Sequence, residues 1–185
     1  MKGLIHICCA PCAVYPISCF TDKHIEIMGY FYNPNIHPFN EFNRRKQTLI
    51  TYANDINLRV IYSDDYPLET WIQQMAFREN NRCRICYYDR LKGTAIVAKR
   101  GKFDFFTTTL LYSKFQNHEL IREMGEDLEK AYKVPFYYED FRIGWKQGIE
   151  LSKQLNMYRQ QYCGCIYSEK ERFFKKIKSN KELTA

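Results

Sequence analysis

The stretch G-L-I-H-I-C-C-A-P-C, residues 3–12, joins a short apolar run to three closely spaced cysteines. The run at residues 3–8 is typical of a buried β-strand, and Pro11 marks the turn that follows it. In open α/β sheets, ligands bind beyond the carboxyl ends of the strands. We therefore expect Cys8 and Cys9 to lie at the edge of a sheet where a reactive site forms.

Outside this stretch, short β-rich runs alternate with longer segments of helical periodicity. Further strands are predicted at residues 25–32, 58–62, 103–108 and 136–138. Helices are predicted at residues 39–56, 68–76, 87–99, 118–132 and 145–155, with Asn117 as the N-cap of the fourth. The pattern indicates one α/β domain over residues 1–185 with a mostly parallel sheet, ending in a basic helix at about residues 168–181.

The charge of the chain is moderately basic, with a net charge of +7 and a pI near 8.9. Residues 168–181 hold six basic and two acidic side chains, and Phe173, Phe174 and Ile177 add an apolar stripe. This segment suits a phosphate-rich partner or a solvated amphipathic helix, and charge and pattern alone favour the helix. No stretch approaches ~20 uninterrupted apolar residues, so we expect no membrane span and a cytoplasmic location that keeps thiols reduced.

Seven of the eight cysteines fall into three tight clusters. They are Cys8, Cys9 and Cys12 in C-C-A-P-C, Cys83 and Cys86 in C-R-I-C, and Cys163 and Cys165 in C-G-C. Such spacing indicates soft-metal ligation or thiol redox chemistry rather than structural thiols scattered through a core. Cys19 stands apart and is expected to be a buried structural residue.

Each cluster has its own geometric preference. Adjacent residues such as Cys8 and Cys9 have Cα atoms ~3.8 Å apart, which is below the usual separation for a disulfide and favours metal binding. The C-x-x-C spacing of Cys83 and Cys86 lets two thiolates converge on one metal centre. Gly164 between Cys163 and Cys165 permits a strained disulfide that is easily reduced, which suits a redox switch.

Five sequence blocks occur in a fixed order, and together they resemble the QueH family of epoxyqueuosine reductases over residues 4–168. The blocks are H-I-C-C-A-P-C at 6–12, N-R-C-R-I-C-Y-Y-D-R-L at 81–91, F-T-T-T-L-L-Y-S at 106–113, Y-Y-E-D-F-R at 137–142 and Y-R-Q-Q-Y-C-G-C-I-Y-S at 158–168. The combination is far more specific than a lone C-x-x-C motif. The resemblance implies a Rossmann-like architecture, similar to that of adenine nucleotide α-hydrolases, with cysteines in place of the pyrophosphatase loop.

The resemblance also implies an activity and a cofactor. The family removes the epoxide oxygen from epoxyqueuosine at the tRNA wobble position, in a two-electron step that gives queuosine, and it uses a [4Fe-4S] cluster. By resemblance, Cys8, Cys9, Cys83 and Cys86 are the cluster ligands, and Cys163 with Cys165 is a redox-active dithiol. Three roles stay open for Cys12: a substitute cluster ligand, a ligand of an additional iron ion, or a packing residue.

The sequence does not decide which residues donate the proton or bind the RNA. The departing oxygen needs a proton, for which Asp140, Asp89 and Tyr162 are candidates, although each aspartate could instead form an ion pair. An anticodon loop offers unstacked bases and phosphates, for which the candidates are Arg44, Arg45, Arg82, Tyr87, Arg159 and the basic C-terminal helix. The electron donor is not identified by the sequence, and His6 is expected to be a hydrogen-bonded core residue.

Two other functions compete with this interpretation. The four cysteines 8, 9, 83 and 86 could form a structural zinc site in a nucleic-acid-binding module without catalysis. That module would leave the C-G-C pair without a role. A general thiol–disulfide oxidoreductase could use C-G-C alone, and it would leave the other cysteine clusters without a role.

Overall fold

A computed structural model of the chain describes the backbone of residues 1–182 and the side chains of residues 1–174. Four strands form one all-parallel sheet, β1 (Lys2–His6), β2 (Glu26–Phe31), β3 (Val60–Tyr62) and β4 (Phe105–Thr108), in the order β3-β2-β1-β4. In the register of this sheet, Ile5 of β1 pairs with Gly29 on one side and Thr107 on the other. The predicted single-domain α/β fold with a Rossmann-like sheet is confirmed.

Helices make up most of the rest of the chain. They are α1 (Ala10–Asp22), α2 (Phe39–Asp55), α3 (Leu68–Met75), α4 (Arg82–Arg100), α5 (His118–Tyr132), α6 (Trp145–Gln154) and α7 (Ile166–Glu182). Three single turns of 3-10 helix lie at Glu79–Asn81, Thr109–Tyr112 and Phe141–Gly144. Among the described residues, no helix combines the length and apolarity needed to cross a bilayer.

The core is centred on β1, which lies between two other strands. Leu4, Ile5 and Ile7 are completely buried, and burying a side chain of this size stabilises a fold by about 1.5–3 kcal/mol. Phe20 of α1 packs against the rings of Phe105 and Phe141, with centroids 5.8 and 5.9 Å away. At its C-terminal end, where the first cysteines follow, β1 lies between β2 and β4, with His6 beside Tyr30 and Thr108.

Helix α1 is the main element that the sequence pattern did not predict. Pro11 was expected to mark a turn, yet it occupies the first turn of α1, and Pro16 lies inside the same helix. Proline is tolerated in a first turn because its missing N–H would have no intrahelical partner there. Cys9 is the N-cap residue of α1, with extended backbone angles.

Three further predictions need correction. Residues 136–138 make one isolated bridge, Phe106 with Phe136, instead of a fifth strand. Helix α4 begins at Arg82 rather than at residue 87, so Cys83 and Cys86 lie inside its first turns instead of ahead of them. Cys19 is only half-buried, because it lies towards the exposed end of α1. The Asn117 cap is confirmed, since its Oδ1 accepts from the Leu120 N–H at 3.1 Å.

Candidate active site

Three thiols meet at the C-terminal end of β1. The Sγ atoms of Cys8, Cys9 and Cys12 all lie within 4.8 Å of one another, and all three residues are buried. We call this group the triad. The Cys8 N–H donates to Oγ1 of Thr109 at 3.2 Å, and the Thr109 hydroxyl lies 3.4 Å from the Cys8 sulfur. Because Thr109 directly follows β4, the triad is fixed to two neighbouring strand ends.

The triad favours one thiolate among its three sulfurs. Hydrogen bonding from Cys12, and then from Cys9, holds the pKa of Cys8 well below its usual range. Burial raises the pKa of Cys9, and the hydrogen bond to Cys8 raises the pKa of Cys12. A thiolate is the form that binds a soft metal. Cys8 is therefore the most acidic thiol of the triad, and the triad could hold a metal ion.

Cys86 lies in a separate setting on α4, beside a buried cation. The Arg90 guanidinium donates to the Cys86 sulfur at 2.8 Å and to the Cys86 carbonyl at 3.1 Å. Burial opposes the charged form of Arg90, yet the thiols of Cys86, Cys163 and Cys8 raise its pKa on balance. Burial raises the pKa of Cys86 to about 12. Arg90 thus supplies positive charge between the cysteine clusters, where an anionic centre would be stabilised.

The third cluster lies in residues 155–165, the segment between α6 and α7, which we call the C-G-C loop. Arg45 of α2, 1% exposed, donates to the carbonyls of Cys163 at 2.9 Å and Tyr162 at 3.0 Å, and pairs with Glu41 at 2.7 Å. The His37 N–H donates to the Gly164 carbonyl at 2.8 Å. Hydrogen bonds from α2 and the segment before it therefore hold the loop in place.

The two cysteines of the C-G-C loop have different surroundings. Cys163 is exposed, and its sulfur lies 3.5 Å from the side-chain amide of Gln116. Cys165 is buried in a small cluster with Trp71 and Met75. No disulfide joins the two cysteines.

A cavity of about 700 Å³ joins two of the three clusters. Its lining includes Cys8 and Cys12 of the triad, Cys163 of the C-G-C loop, and the buried guanidinium groups of Arg45 and Arg90. The side-chain amide of Gln160 lies 3.3 Å from the Cys12 sulfur within this lining. A substrate in the cavity would meet thiols from both clusters and two fixed positive charges.

The family model described as epoxyqueuosine reductase QueH matches residues 4–171 of this chain. The chain belongs to the QueH family. Proteins named epoxyqueuosine reductase QueH from Dehalococcoides mccartyi and Thermotoga maritima are each 35% identical to it. The first alignment covers 94% of this chain and 96% of the relative, and the second covers 91% of each. The predicted family is therefore confirmed, and neither the zinc module nor the general oxidoreductase is favoured.

The predicted proton donors of this QueH-family chain differ in how they are placed. Tyr162 lines the cavity, and its hydroxyl donates to the His37 carbonyl at 2.5 Å while burial raises its pKa to about 12. Asp140 receives two hydrogen bonds from the Arg142 guanidinium, which lowers its pKa, and it caps the turn at residues 141–144. Neither Asp140 nor Asp89 is part of the cavity lining.

The predicted RNA-binding residues separate into cavity and surface groups. Arg45 and Arg159 line the cavity, whereas Tyr87 is buried and Arg82 pairs with Glu171 at 2.5 Å. The guanidinium of Arg44 lies 4.7 Å from the ring of Tyr158. The basic C-terminal segment belongs to α7, but its side chains from residue 175 onward lie outside the described residues.

Sequence reasoning missed Arg90, Gln116 and Gln160, whose side chains contact the cysteine sulfurs. Arg90 follows Cys86 by four residues on α4, and residues four apart on a helix share a face. That spacing was a usable signal once the helix was extended back to Arg82. Nothing in the local sequence marks the two glutamines, because long-range folding brings them to the sulfurs.

The expectation for His6 is confirmed by its contacts. It is completely buried, with Nδ1 lying 2.9 Å from the Thr108 hydroxyl and Nε2 lying 3.1 Å from the Tyr32 carbonyl. Burial lowers its pKa to about 4. His6 therefore stays neutral and joins the strand ends beneath the triad.

Proposed function

We propose that this protein is an epoxyqueuosine reductase that acts on tRNA carrying epoxyqueuosine. The observation that carries the proposal is the cavity, in which the triad and the C-G-C loop meet beside Arg45 and Arg90. Family membership supports the reaction, because the relatives bear that name. The products follow from atom balance: epoxyqueuosine, two electrons and two protons give queuosine and water.

The residues of the site fit an iron–sulfur cofactor by the chemistry of their donors. All the candidate ligands are thiols, which select iron–sulfur clusters, zinc or copper(I) over hard cations. The buried arginines Arg45 and Arg90 would offset the negative charge of a thiolate-bound cluster. We propose a [4Fe-4S] cluster held by Cys8, Cys9, Cys83 and Cys86. Cys12 has two alternative roles in this proposal: it replaces one of the four ligands, or it binds an additional iron ion.

The chain's own residues have defined tasks around such a cofactor. When bound, the cluster would supply single electrons and an iron site that can attract the epoxide oxygen. The cavity wall would exclude bulk water, and Arg90 would hold the Cys86 sulfur in a fixed orientation. Tyr162, Asp140 and Asp89 remain the proposed sources of the proton that the departing oxygen requires.

The C-G-C pair is proposed to act as a two-electron store. Oxidation of Cys163 and Cys165 to a disulfide releases two electrons and two protons, which equals the demand of one deoxygenation. An external two-electron reductant would then restore the dithiol. All eight cysteines are free in the structure. We propose a cytoplasmic location, because the cytoplasm keeps thiols reduced.

The proposal is tested with protein purified without oxygen. We expect about four iron and four sulfide per chain, and conversion of epoxyqueuosine to queuosine in tRNA, measured by nucleoside mass spectrometry. About five iron would support a second ion and make Cys12 its candidate ligand. Zinc without sulfide, in protein that leaves epoxyqueuosine unchanged, would overturn both the cofactor and the reaction.

The dithiol is tested separately, with the Cys163→Ser variant. We expect it to retain the cluster and to complete no more than about one turnover per chain, because the two-electron store cannot cycle. Cys19→Ser is the matched control, since Cys19 belongs to none of the three clusters. Undiminished multiple turnover by Cys163→Ser would remove the dithiol from the mechanism.

A further inference from the structure

Three aromatic side chains form a ladder in the wall of the cavity, apart from the thiols. The rings of Tyr112 and Trp145 stack with centroids 5.1 Å apart, and the ring of Phe115 meets Trp145 edge-on at 5.8 Å. All three residues line the cavity. We call this ladder the aromatic step.

The aromatic step is ordered at its inner end and open at its outer end. Tyr112 is buried, and its hydroxyl donates to the Trp145 carbonyl at 2.9 Å. A Cβ atom at Gly148 would lie 2.4 Å from that hydroxyl oxygen, so the glycine leaves room for the ring. Phe115, in contrast, is 84% exposed. A large ring left in water at the end of a fixed ladder offers a stacking surface for a planar partner.

The charges around the aromatic step are mostly positive. Four arginines line the cavity, Arg45, Arg90, Arg159 and Arg172, against one carboxylate, that of Glu171. Glu171 is paired with Arg82. Arg159 and Arg172 are exposed. An exposed aromatic ring beside exposed guanidinium groups matches a single-stranded nucleic acid, which has both flat bases and phosphates.

We propose that the aromatic step binds a nucleobase of the tRNA anticodon loop next to the modified nucleotide, while Arg159 and Arg172 bind phosphates of the loop. This inference rests on the proposed function, because it takes the substrate to be tRNA. The modified base must reach the thiols inside the cavity, so the adjacent nucleotides of the RNA lie at the mouth of the cavity. Phe115 is the exposed aromatic residue of the lining that can receive one of them.

The proposal is tested by fluorescence anisotropy with a labelled anticodon stem-loop RNA that lacks the modification, and with the metal-loaded protein. Phe115→Ala is expected to weaken binding about tenfold, the loss typical of one stacked base. Phe115→Tyr should restore it, because the ring is retained. Phe77→Ala is the matched control, since Phe77 is fully exposed but does not line the cavity.

Two further measurements separate stacking from a general structural effect. RNA is expected to quench the fluorescence of Trp145 in the wild-type protein, whereas Trp71 is buried and does not line the cavity. Arg159→Gln and Arg172→Gln should each lower the salt dependence of binding, by about 0.7 in the slope of log K against log salt.

The outcomes distinguish this inference from the proposed function. Weaker binding by Phe115→Ala, with Phe77→Ala unchanged, supports the aromatic step. RNA binding that is equally tight in the wild type and Phe115→Ala, or equally weakened by Phe77→Ala, overturns the aromatic step and leaves the reductase proposal standing. Failure of the wild-type protein to bind any tRNA or stem-loop overturns both.

Discussion

The triad and the C-G-C loop are two groups of thiols at the same cavity, held in place by different means. Regular backbone structure fixes the triad, because Cys9 caps α1 and Cys8 bonds to Thr109 at the end of β4. The C-G-C loop has neither helix nor strand at its cysteines, and the side chain of Arg45 holds its backbone. The triad is positioned by secondary structure, whereas the C-G-C loop is held by side-chain hydrogen bonds.

This difference matches the two kinds of chemistry proposed for the thiols. A metal site needs ligands whose positions are already fixed. A dithiol that cycles through a disulfide needs sulfurs that can approach and separate, because the bond requires a narrow range of geometry. Attachment by a few side-chain hydrogen bonds allows such movement. We therefore expect mutations at the triad to change metal content, and mutations at the attachment of the C-G-C loop to change mainly the stability of the loop.

The largest expected effect is the loss of metal from the triad. Cys9 is 1% exposed and does not line the cavity, so Cys9→Ser changes the metal site without touching a bound substrate. We expect iron content to fall and turnover to drop by more than about a hundredfold. Losing a residue that only hydrogen-bonds to a metal ligand already costs up to about a hundredfold in activity, and losing a ligand should cost more. Iron analysis and turnover measure this, with Cys19→Ser as the control. Unchanged iron in Cys9→Ser would exclude Cys9 from the ligand set.

The next largest effect is expected at Arg45, where the attachment of the C-G-C loop can be broken. Arg45→Met leaves the buried Glu41 carboxylate unpaired and removes the donors to two carbonyls of the loop. Breaking one side of a buried ion pair costs about 3–5 kcal/mol in the free energy of unfolding. Chemical denaturation of the reduced protein measures this loss.

Arg100→Met is the control for Arg45, because Arg100 is exposed at the C-terminal end of α4, away from the C-G-C loop. Adding Glu41→Gln to Arg45→Met should recover part of the stability, since the unpaired charge is then removed. Iron content should fall less than in Cys9→Ser, because Arg45→Met keeps every proposed ligand and removes only one of the charges that offset the cluster. An equal loss of iron in Arg45→Met would contradict the separation of the two groups.

The smallest expected effect is a pH dependence from His37, which donates to the C-G-C loop through its backbone. Burial lowers the pKa of His37 to about 4, from 6.5 in an unfolded chain. The unfolded state therefore takes up a proton first as the pH falls, and stability decreases between pH 6.5 and 4, by up to about 3 kcal/mol. Denaturation curves across this range measure the decrease.

His37→Phe should make that pH dependence shallower. The ring of His37 packs against Trp71 at 4.6 Å and Tyr66 at 5.8 Å, so a phenyl ring suits the space, and the backbone N–H to Gly164 is kept. His6, whose pKa burial also lowers to about 4, retains its own contribution in this variant. An unaltered slope in His37→Phe would show that other groups carry the acid sensitivity.

Much of the fold follows from local patterns, whereas the meeting of the thiols does not. The apolar runs gave β1, β2 and β4 because buried parallel strands read as continuous hydrophobic segments. The pattern did not predict α1 because proline is unfavourable inside a helix and Pro11 and Pro16 both lie in this segment. Pro11 is nevertheless tolerated, because it lies in the first turn. The clusters could be recognised from spacing, but the place of Cys12 beside Cys8 depends on the helical turn of α1. Arg45 was expected at RNA, yet it is buried beneath the loop.

The hydrogen bond between Cys8 and Thr109 joins residues separated by 101 positions in the chain. It forms only when β1 and β4 have come together in the sheet, so the triad is assembled by tertiary folding rather than by local sequence. Binding of metal at the triad should therefore follow folding of the sheet, and a nascent chain that has emerged only as far as α1 would present the three cysteines of the triad without a finished site.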